Sequence, residues 1–431
     1  MQVDSPPSST TLHTKITLAN GLRVIVAPMP HVRSVTVSVY IGAGSRYETP
    51  AESGISHFIE HLCFKGTAKR PNAQLISEAI DGVGGILNAA TGREYTVYYA
   101  KVARPHFSVA LDVLLDLVQA PLFDPAEMEK ERKVVLEEIA STADSPGQQV
   151  DLLLDALVWP DQPLGWDVAG SEASASGIDR EMILAYLDRQ YVAGNVVISV
   201  AGNISAEEVV AAVEERSGWA APGDPGRWFA AEEHQTEPGC AILYKRCEQT
   251  HLSLSLAGLP LGHPDRYAID LLSVLFGEGM SSRLFLELRE RQGLCYDVHS
   301  YVNHFLDTGN LGLYAAVDPE NGKQAVGALI AETRRLGEGV PAEELRKAKE
   351  LAKGRMLLRL EDTRSVSAWL GGQEILTGEI LSPEDVVDRI EAVSLDGLAR
   401  VVETLLRPDR LNLAVVGPHR SERVFRSRLV F

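Results

Sequence analysis

The sequence predicts an α+β protein built from two duplicated domains, and three observations carry that prediction. At 431 residues the chain is too long for one ordinary domain and suits two of roughly 200 residues each. Short strand-like runs with apolar alternation lie next to amphipathic helical stretches. Two pairs of segments also recur at a single spacing. Thr36-Val37-Ser38-Val39-Tyr40-Ile41 is echoed by His251-Leu252-Ser253-Leu254-Ser255-Leu256. Val196-Val197-Ile198-Ser199-Val200-Ala201-Gly202 is echoed by Leu411-Asn412-Leu413-Ala414-Val415-Val416-Gly417. The steps from 36 to 251 and from 196 to 411 are both 215, which marks an internal duplication.

The elements follow in order. Ile16 to Pro28 reads as a hairpin around Asn20-Gly21, a strong turn signal. Gly54 to Phe64 and Asn72 to Val83 read as helices, the second stopping at Gly84-Gly85. Strands are expected through Ile86-Leu87-Asn88-Ala89 and from Tyr95 to Lys101. Long helical patterns follow over Pro105–Gln119 and Pro125–Ser141. Ala221-Pro222-Gly223-Asp224-Pro225-Gly226 opens a polar stretch with no apolar period, so a surface linker is expected over 222–239. It divides a first domain over 1–221 from a second over 240–431.

Composition narrows the function. Hydrophobic residues make up 45% and charged residues 23%, the balance of a globular protein. No apolar stretch reaches the length of a membrane helix. Met1 to Thr11 is polar, with neither a basic n-region nor an apolar h-region, so no secretory signal is expected. Cys63, Cys240, Cys247 and Cys295 stand singly and read as free, mostly buried thiols, which fits a cytoplasmic protein. A formal charge of −18 argues against nucleic acid as a partner.

The chemistry centres on His57-Phe58-Ile59-Glu60-His61. Residues four apart share a helix face, so His57 and His61 can reach one ion together. Glu60, three beyond His57, can approach the water on that ion and act as general base without being a ligand. The apolar neighbours Ile55, Phe58, Ile59, Leu62 and Phe64 imply a mostly buried helix, where imidazoles without partners are costly. A catalytic zinc wants a third protein ligand and an open fourth position. The helix Pro125–Ser141 offers Glu127, Glu129, Glu131, Glu137 and Glu138. Glu131 and Glu138 share a face with Glu127 near it, Glu137 lies about 100° away, and spacing alone does not choose between them.

His57-Phe58-Ile59-Glu60-His61-Leu62-Cys63-Phe64-Lys65-Gly66-Thr67 resembles the signature of the inverted-motif zinc peptidases, which include pitrilysin, insulin-degrading enzyme and the mitochondrial processing peptidase. The resemblance spans almost the whole chain and is nearest to the short bacterial two-domain branch. It implies two domains that face each other across a chamber, each a mostly antiparallel sheet flanked by helices. It implies one zinc ion per chain, with a third ligand separated from the second histidine by about 76 residues and a supporting glutamate seven before it. Counting from His61 gives Glu138, with Glu131 behind it and Glu137 as the neighbouring alternative. The helix Glu131-Arg132-Lys133-Val134-Val135-Leu136-Glu137-Glu138 resembles the family's in that register.

The resemblance also implies that a peptide is held as an added strand along Gly85–Thr91, with Asn88 and Ala89 facing the scissile region. In the second repeat the positions matching His57, Glu60 and His61 are Leu272, Leu275 and Phe276, so no second zinc is expected there. That repeat carries Leu288-Arg289-Glu290-Arg291-Gln292-Gly293-Leu294-Cys295-Tyr296, which looks like the family's Arg and Tyr pair for the substrate carbonyl. Arg289 and Tyr296 are therefore expected to be catalytic. Phe276–Ser282 resembles a family loop near the cleft and is read as structural or gating. The positions that receive a presequence arginine in the mitochondrial enzyme correspond to Gln148 and Leu152, neither acidic.

A zinc endopeptidase acting on short unstructured peptides is thus expected, most simply as a homodimer, with a heterodimer as the variant. The alternatives are a non-catalytic scaffold relative, a presequence-type processing peptidase, and a hydrolase of non-peptide esters.

Overall fold

The structure is a computed structural model that describes residues 13–219 and 222–431. The polar segment Met1–Thr11 and the domain boundary expected at 221 lie outside the described residues.

Two sheets organise the chain. The first contains β1 (Thr14–Thr17), β2 (Arg23–Pro28), β3 (Ser34–Ile41), β4 (Ile86–Thr91), β5 (Thr96–Ala103) and β6 (Val196–Gly202), in the order β1-β2-β6-β3-β5-β4. The second contains β7 (Gly239–Tyr244), β8 (Thr250–Ala257), β9 (Cys295–His304), β10 (Gly309–Val317) and β11 (Asn412–Gly417), in the order β7-β11-β8-β10-β9. Removing β1 from the first order leaves the second, strand for strand, so the repeat seen in sequence is a repeat of topology. Both sheets are mostly antiparallel. The parallel pairs are β2 with β6 and β7 with β11, where an amino-terminal strand of each unit meets its last. The Asn20-Gly21 turn joins β1 to β2, with Gly21 at φ +85°, a conformation that glycine adopts without steric cost.

The repeated runs Val196–Gly202 and Asn412–Gly417 are buried along their whole length. Strands covered on both faces lose the apolar–polar alternation, and the covering elements are unexpected. On one face of the first sheet pack α1 (Ile55–Cys63) and α3 (Phe107–Gln119), following α2 (Ala73–Asp81) in between. The other face is covered by a helix of the second half, Thr363–Thr377. In exchange α5 (Pro146–Val158), which follows the long α4 (Pro125–Asp144), packs on the second sheet across β11, β8 and β7. The exchange keeps the pseudo-symmetry. Ser367 of the donated helix donates to Ser38 of β3 at 2.8 Å, and Ser253 of β8 donates to Asp151 of α5 at 3.1 Å. Ser38 and Ser253 are the same position of the two repeats.

The segment after residue 221 has neither helix nor strand until β7, and it is fastened to the first half. Phe229 and Arg46 exchange backbone and side-chain hydrogen bonds, the Phe229 amide to the Arg46 carbonyl at 2.9 Å and Arg46 Nε to the Phe229 carbonyl at 3.0 Å. The Arg46 guanidinium lies over Trp228, pairs with Glu94, and reaches Asp307 in the hairpin between β9 and β10. One fully buried arginine thus joins first half, connector and second half. No described helix is long and apolar enough to cross a membrane. The four cysteines are unpaired; Cys63 and Cys240 are buried, and Cys247 and Cys295 partly so.

Candidate metal centre

Helix α1 buries Ile55, Phe58, Ile59 and Leu62 in the first core. That fixes its rotation and turns His57, Glu60 and His61 toward its partly open face. Helix α4 packs against it. Asp124 caps α4 by accepting from the amides of Ala126 and Glu127, and Pro125 starts its first turn. Met128, Glu131 and Val135 form its buried stripe. The register places Glu131 and Glu138, two turns apart, opposite the histidines.

Three ligand atoms converge. His57 Nε2 and His61 Nε2 are 3.2 Å apart, and Glu138 Oε2 lies 3.7 Å from the first and 3.5 Å from the second. A tetrahedral ion bonded at about 2.0–2.1 Å separates its ligands by about 3.3–3.4 Å, so the triangle fits zinc and leaves a fourth position free. Among the described residues this is the one cluster of three or more potential metal ligands. The donor set, two imidazoles and a carboxylate, is one that zinc takes in hydrolytic sites.

The electrostatics suit ligation. Burial, and then His61 beside it, press His57 down to about 4, which keeps its imidazole neutral. Burial also works against charge on His61, but Glu131, Glu138 and Glu60 outweigh it and raise its pKa. His61 Nδ1 is 2.9 Å from Glu131 Oε1, and Lys65 Nζ is 2.6 Å from the other oxygen. Burial alone would raise Glu131, yet His61 and Lys65 hold it below the usual carboxylate range. A charged Glu131 accepting the Nδ1 proton leaves the His61 Nε2 lone pair facing the other ligands. Glu60 is raised by burial, against a hydrogen bond from the Thr91 hydroxyl at 2.5 Å.

Thr91 ends β4, the edge strand of the first sheet, whose outer side pairs with no described strand. The sequence assigns neither Thr91 nor Lys65 a role at the metal centre, because a threonine ending a strand and a lysine after a helix carry no periodic signal. Asn88 and Ala89 both lie on β4, but neighbours on a strand point to opposite faces. Ala89 shares its face with Thr91 and packs against the core, whereas Asn88 is exposed and accepts from the Ala89 amide at 2.8 Å. None of the described hydrogen bonds or ion pairs joins Glu127 or Glu137 to the triangle, and Glu127 pairs with Lys130 instead.

In the second half, Leu272, Leu275 and Phe276 are buried in the helix Arg266–Gly277 and belong to that half's core. Arg289 donates to the Tyr296 carbonyl at 2.9 Å and its guanidinium lies 4.4 Å from the Tyr296 ring centre. Tyr296 is 76% exposed. None of the described hydrogen bonds or ion pairs joins this pair to the triangle. Each constellation is thus assembled within its own half of the chain.

Residues 23–172 match the family model described as Insulinase (Peptidase family M16), and residues 177–351 match that described as Peptidase M16 inactive domain. A protein of Bacillus subtilis named an uncharacterized zinc protease is 37% identical over 406 residues, covering 94% of this chain and 98% of its own. The chain belongs to peptidase family M16. A second M16 relative, an uncharacterized zinc protease of Streptomyces coelicolor, is 36% identical and covers 96% of this chain and 91% of its own. The M16 fold is shared with a crystal structure of a protease from Helicobacter pylori, with a TM-score of 0.88 at 22% identity, covering 94% and 99% of the two chains. It is shared too with a peptidase M16 inactive domain from Pseudomonas fluorescens, with a TM-score of 0.85 at 20% identity, covering 95% and 99%. The words "inactive domain" fit the half in which leucines and a phenylalanine stand at the metal positions.

Proposed function

We propose that the protein is a zinc endopeptidase of short unstructured peptides, with His57, His61 and Glu138 as ligands of one ion and Glu60 as general base. The observation that carries this reading is the triangle of 3.2, 3.5 and 3.7 Å with Glu60 between its two histidines on the same helix. When bound, zinc supplies a Lewis acid that acidifies water and polarises an amide carbonyl. Glu60 takes the proton of the attacking water and returns it to the leaving amine. Its partial burial serves this, since a carboxylate with a raised pKa is a stronger base. The Thr91 hydroxyl holds one oxygen of Glu60 and leaves the other for the proton.

The free edge of β4 supports an extended peptide, whose backbone groups would pair with the strand as an added member of the sheet. Ala89 and Thr91 line the side on which Glu60 stands. Arg289 and Tyr296 are proposed to meet the carbonyl oxygen from a second copy of the chain, as donors for the developing oxyanion. The exposure of the Tyr296 side chain and the presence of both constellations on one chain support a homodimer in which each copy completes the other's site. The four unpaired cysteines agree with a reducing, cytoplasmic setting.

The deciding experiment offers a quenched peptide library to the purified protein with and without a metal chelator, beside Glu60→Gln. Cleavage that the chelator stops and added zinc restores is expected, with Glu60→Gln retaining zinc but losing about 10²-fold or more in kcat. A zinc-loaded wild type that cleaves no peptide would overturn the peptidase reading. Equal cleavage by Glu60→Gln would overturn the choice of base.

A further inference from the structure

Helix α1 starts without a cap of its own. The residue at its N-terminal boundary is Gly54, at φ +92°, with no side chain to receive the first amides. A side chain has no room there, because a Cβ would lie 2.5 Å from the Ala169 carbonyl oxygen. Gly54, Ile55 and Ser56 are all buried, so their amides need acceptors from the protein. Glu48, six residues before Gly54, provides them: one carboxyl oxygen accepts from the Gly54 amide at 2.8 Å and the other from the Ser56 amide at 2.9 Å.

Glu48 is fully buried, and no cation is among the groups acting on it. Burying a carboxyl group without a cation is costly, and a serine or aspartate cap is the ordinary way to start a helix. The next residue gives the arrangement its sense. Ser56 precedes His57, and its hydroxyl is 2.8 Å from that of Tyr186. His57 Nδ1 is buried with no hydrogen-bond partner, so nothing holds its ring from behind as Glu131 holds that of His61. The direction of His57 is left to the backbone of the first turn, and Glu48 grips that turn at two amides.

We propose that Glu48 is a positioning residue for the metal centre, its carboxyl group clamping the first turn of α1 so that His57 meets His61 and Glu138. Its described hydrogen bonds go to the Gly54 and Ser56 amides and not to the three ligands or the edge strand. The inference rests on the zinc site described above, but its test needs no catalysis.

Zinc affinity is measured by competition with a chromogenic chelator for wild type, Glu48→Gln and Glu374→Gln, with a thermal melt for each. Glu374 is an equally buried carboxylate that pairs with Lys15 and Arg23 and has no described contact with α1, so its variant reports general loosening. A Gln at 48 keeps one acceptor but turns an N–H₂ toward the second amide. Glu48→Gln is expected to bind zinc about 10-fold or more weakly, the scale on which outer supports of metal ligands act, with Glu374→Gln near wild type. Affinity within twofold of wild type in Glu48→Gln, or an equal loss in Glu374→Gln, would overturn the proposal. If Glu48→Gln does not fold, or if the wild type takes no zinc, amide exchange in the metal-free wild type decides. Gly54 and Ser56 amides as protected as the middle of α1 support the clamp, and rapid exchange at both refutes it.

Discussion

His61 and Glu131 face each other across the gap between α1 and α4, Nδ1 to Oε1 at 2.9 Å. The carboxylate sets which ring nitrogen carries the proton, and Lys65 at 2.6 Å keeps that carboxylate charged. Glu131→Gln would keep the shape but present a weaker acceptor, or a competing donor, to Nδ1. We expect zinc affinity to fall about 10–100-fold, read by chelator competition, with little change in the melting temperature of the metal-free protein. Undiminished affinity would show that packing alone orients His61.

The proposed dimer, in which Arg289 and Tyr296 serve the partner copy's site, predicts complementation between copies. Glu60→Gln and Tyr296→Phe chains should each be nearly inactive alone. Co-refolded at equal amounts, a two-fold dimer with sites shared between copies recovers about a quarter of wild-type sites, because half the dimers are mixed and one of their two sites is intact. A mixture no more active than either variant would place both groups on one chain or deny the dimer.

Burial pushes Glu48 up to about 7 from its ordinary 4.5, against hydrogen bonds from Ser56 and Gly54 that favour its charged form. Its pKa is therefore higher folded than unfolded. As pH rises from 4.5 to 7, the unfolded chain releases this proton while the folded chain keeps it. Stability should fall across that window by up to roughly 3 kcal/mol and level off above it. Denaturant titrations of metal-free wild type and Glu48→Gln from pH 4.5 to 8 isolate the contribution: the difference between them should change through this window. A constant difference would exclude the shift.

Arg46 is completely buried between Glu94, itself 6% exposed, and Asp307. Removing the cation strands the Glu94 carboxylate, and Arg46→Ala should cost about 3–5 kcal/mol in urea unfolding. Replacing Arg46 by Met and Glu94 by Leu together should recover much of that loss, since a packed apolar pair avoids the desolvation of two charges. A double variant no better than the single one would mean that the contacts to Phe229 and Trp228 carry the stability.

Much of the site was legible because it is local. His57, Glu60 and His61 lie within five residues of one helix, and helix geometry alone places them on adjoining faces. Glu138 was not settled by geometry, since five glutamates share α4. The family resemblance pointed to it, and the packing of α4 on α1 brings its carboxylate to the histidines. The buried stripe Met128, Glu131 and Val135 sets the rotation of α4, which brings the half-exposed Glu138 carboxylate to the histidines. Asn88 and Ala89 adjoin in sequence, and the pleat of β4 turns them to opposite faces. Thr91 and Glu48 left no periodic trace, because each acts through one polar group that lies outside the helix carrying the motif.

By itself the sequence determined the duplication, the strand runs that repeat at one spacing, and a metal motif in one repeat with leucines and phenylalanine in the other. These follow from short-range rules, the periods of strand and helix and the chemistry of adjacent side chains. Only the tertiary structure decided that each half lends a helix to the other's sheet and that a connector is pinned by one buried arginine. It alone decided that Arg289 packs against the ring of the exposed Tyr296. Those outcomes depend on which apolar faces find each other after the elements form, and nothing local in α5 or in Thr363–Thr377 says which sheet it will cover.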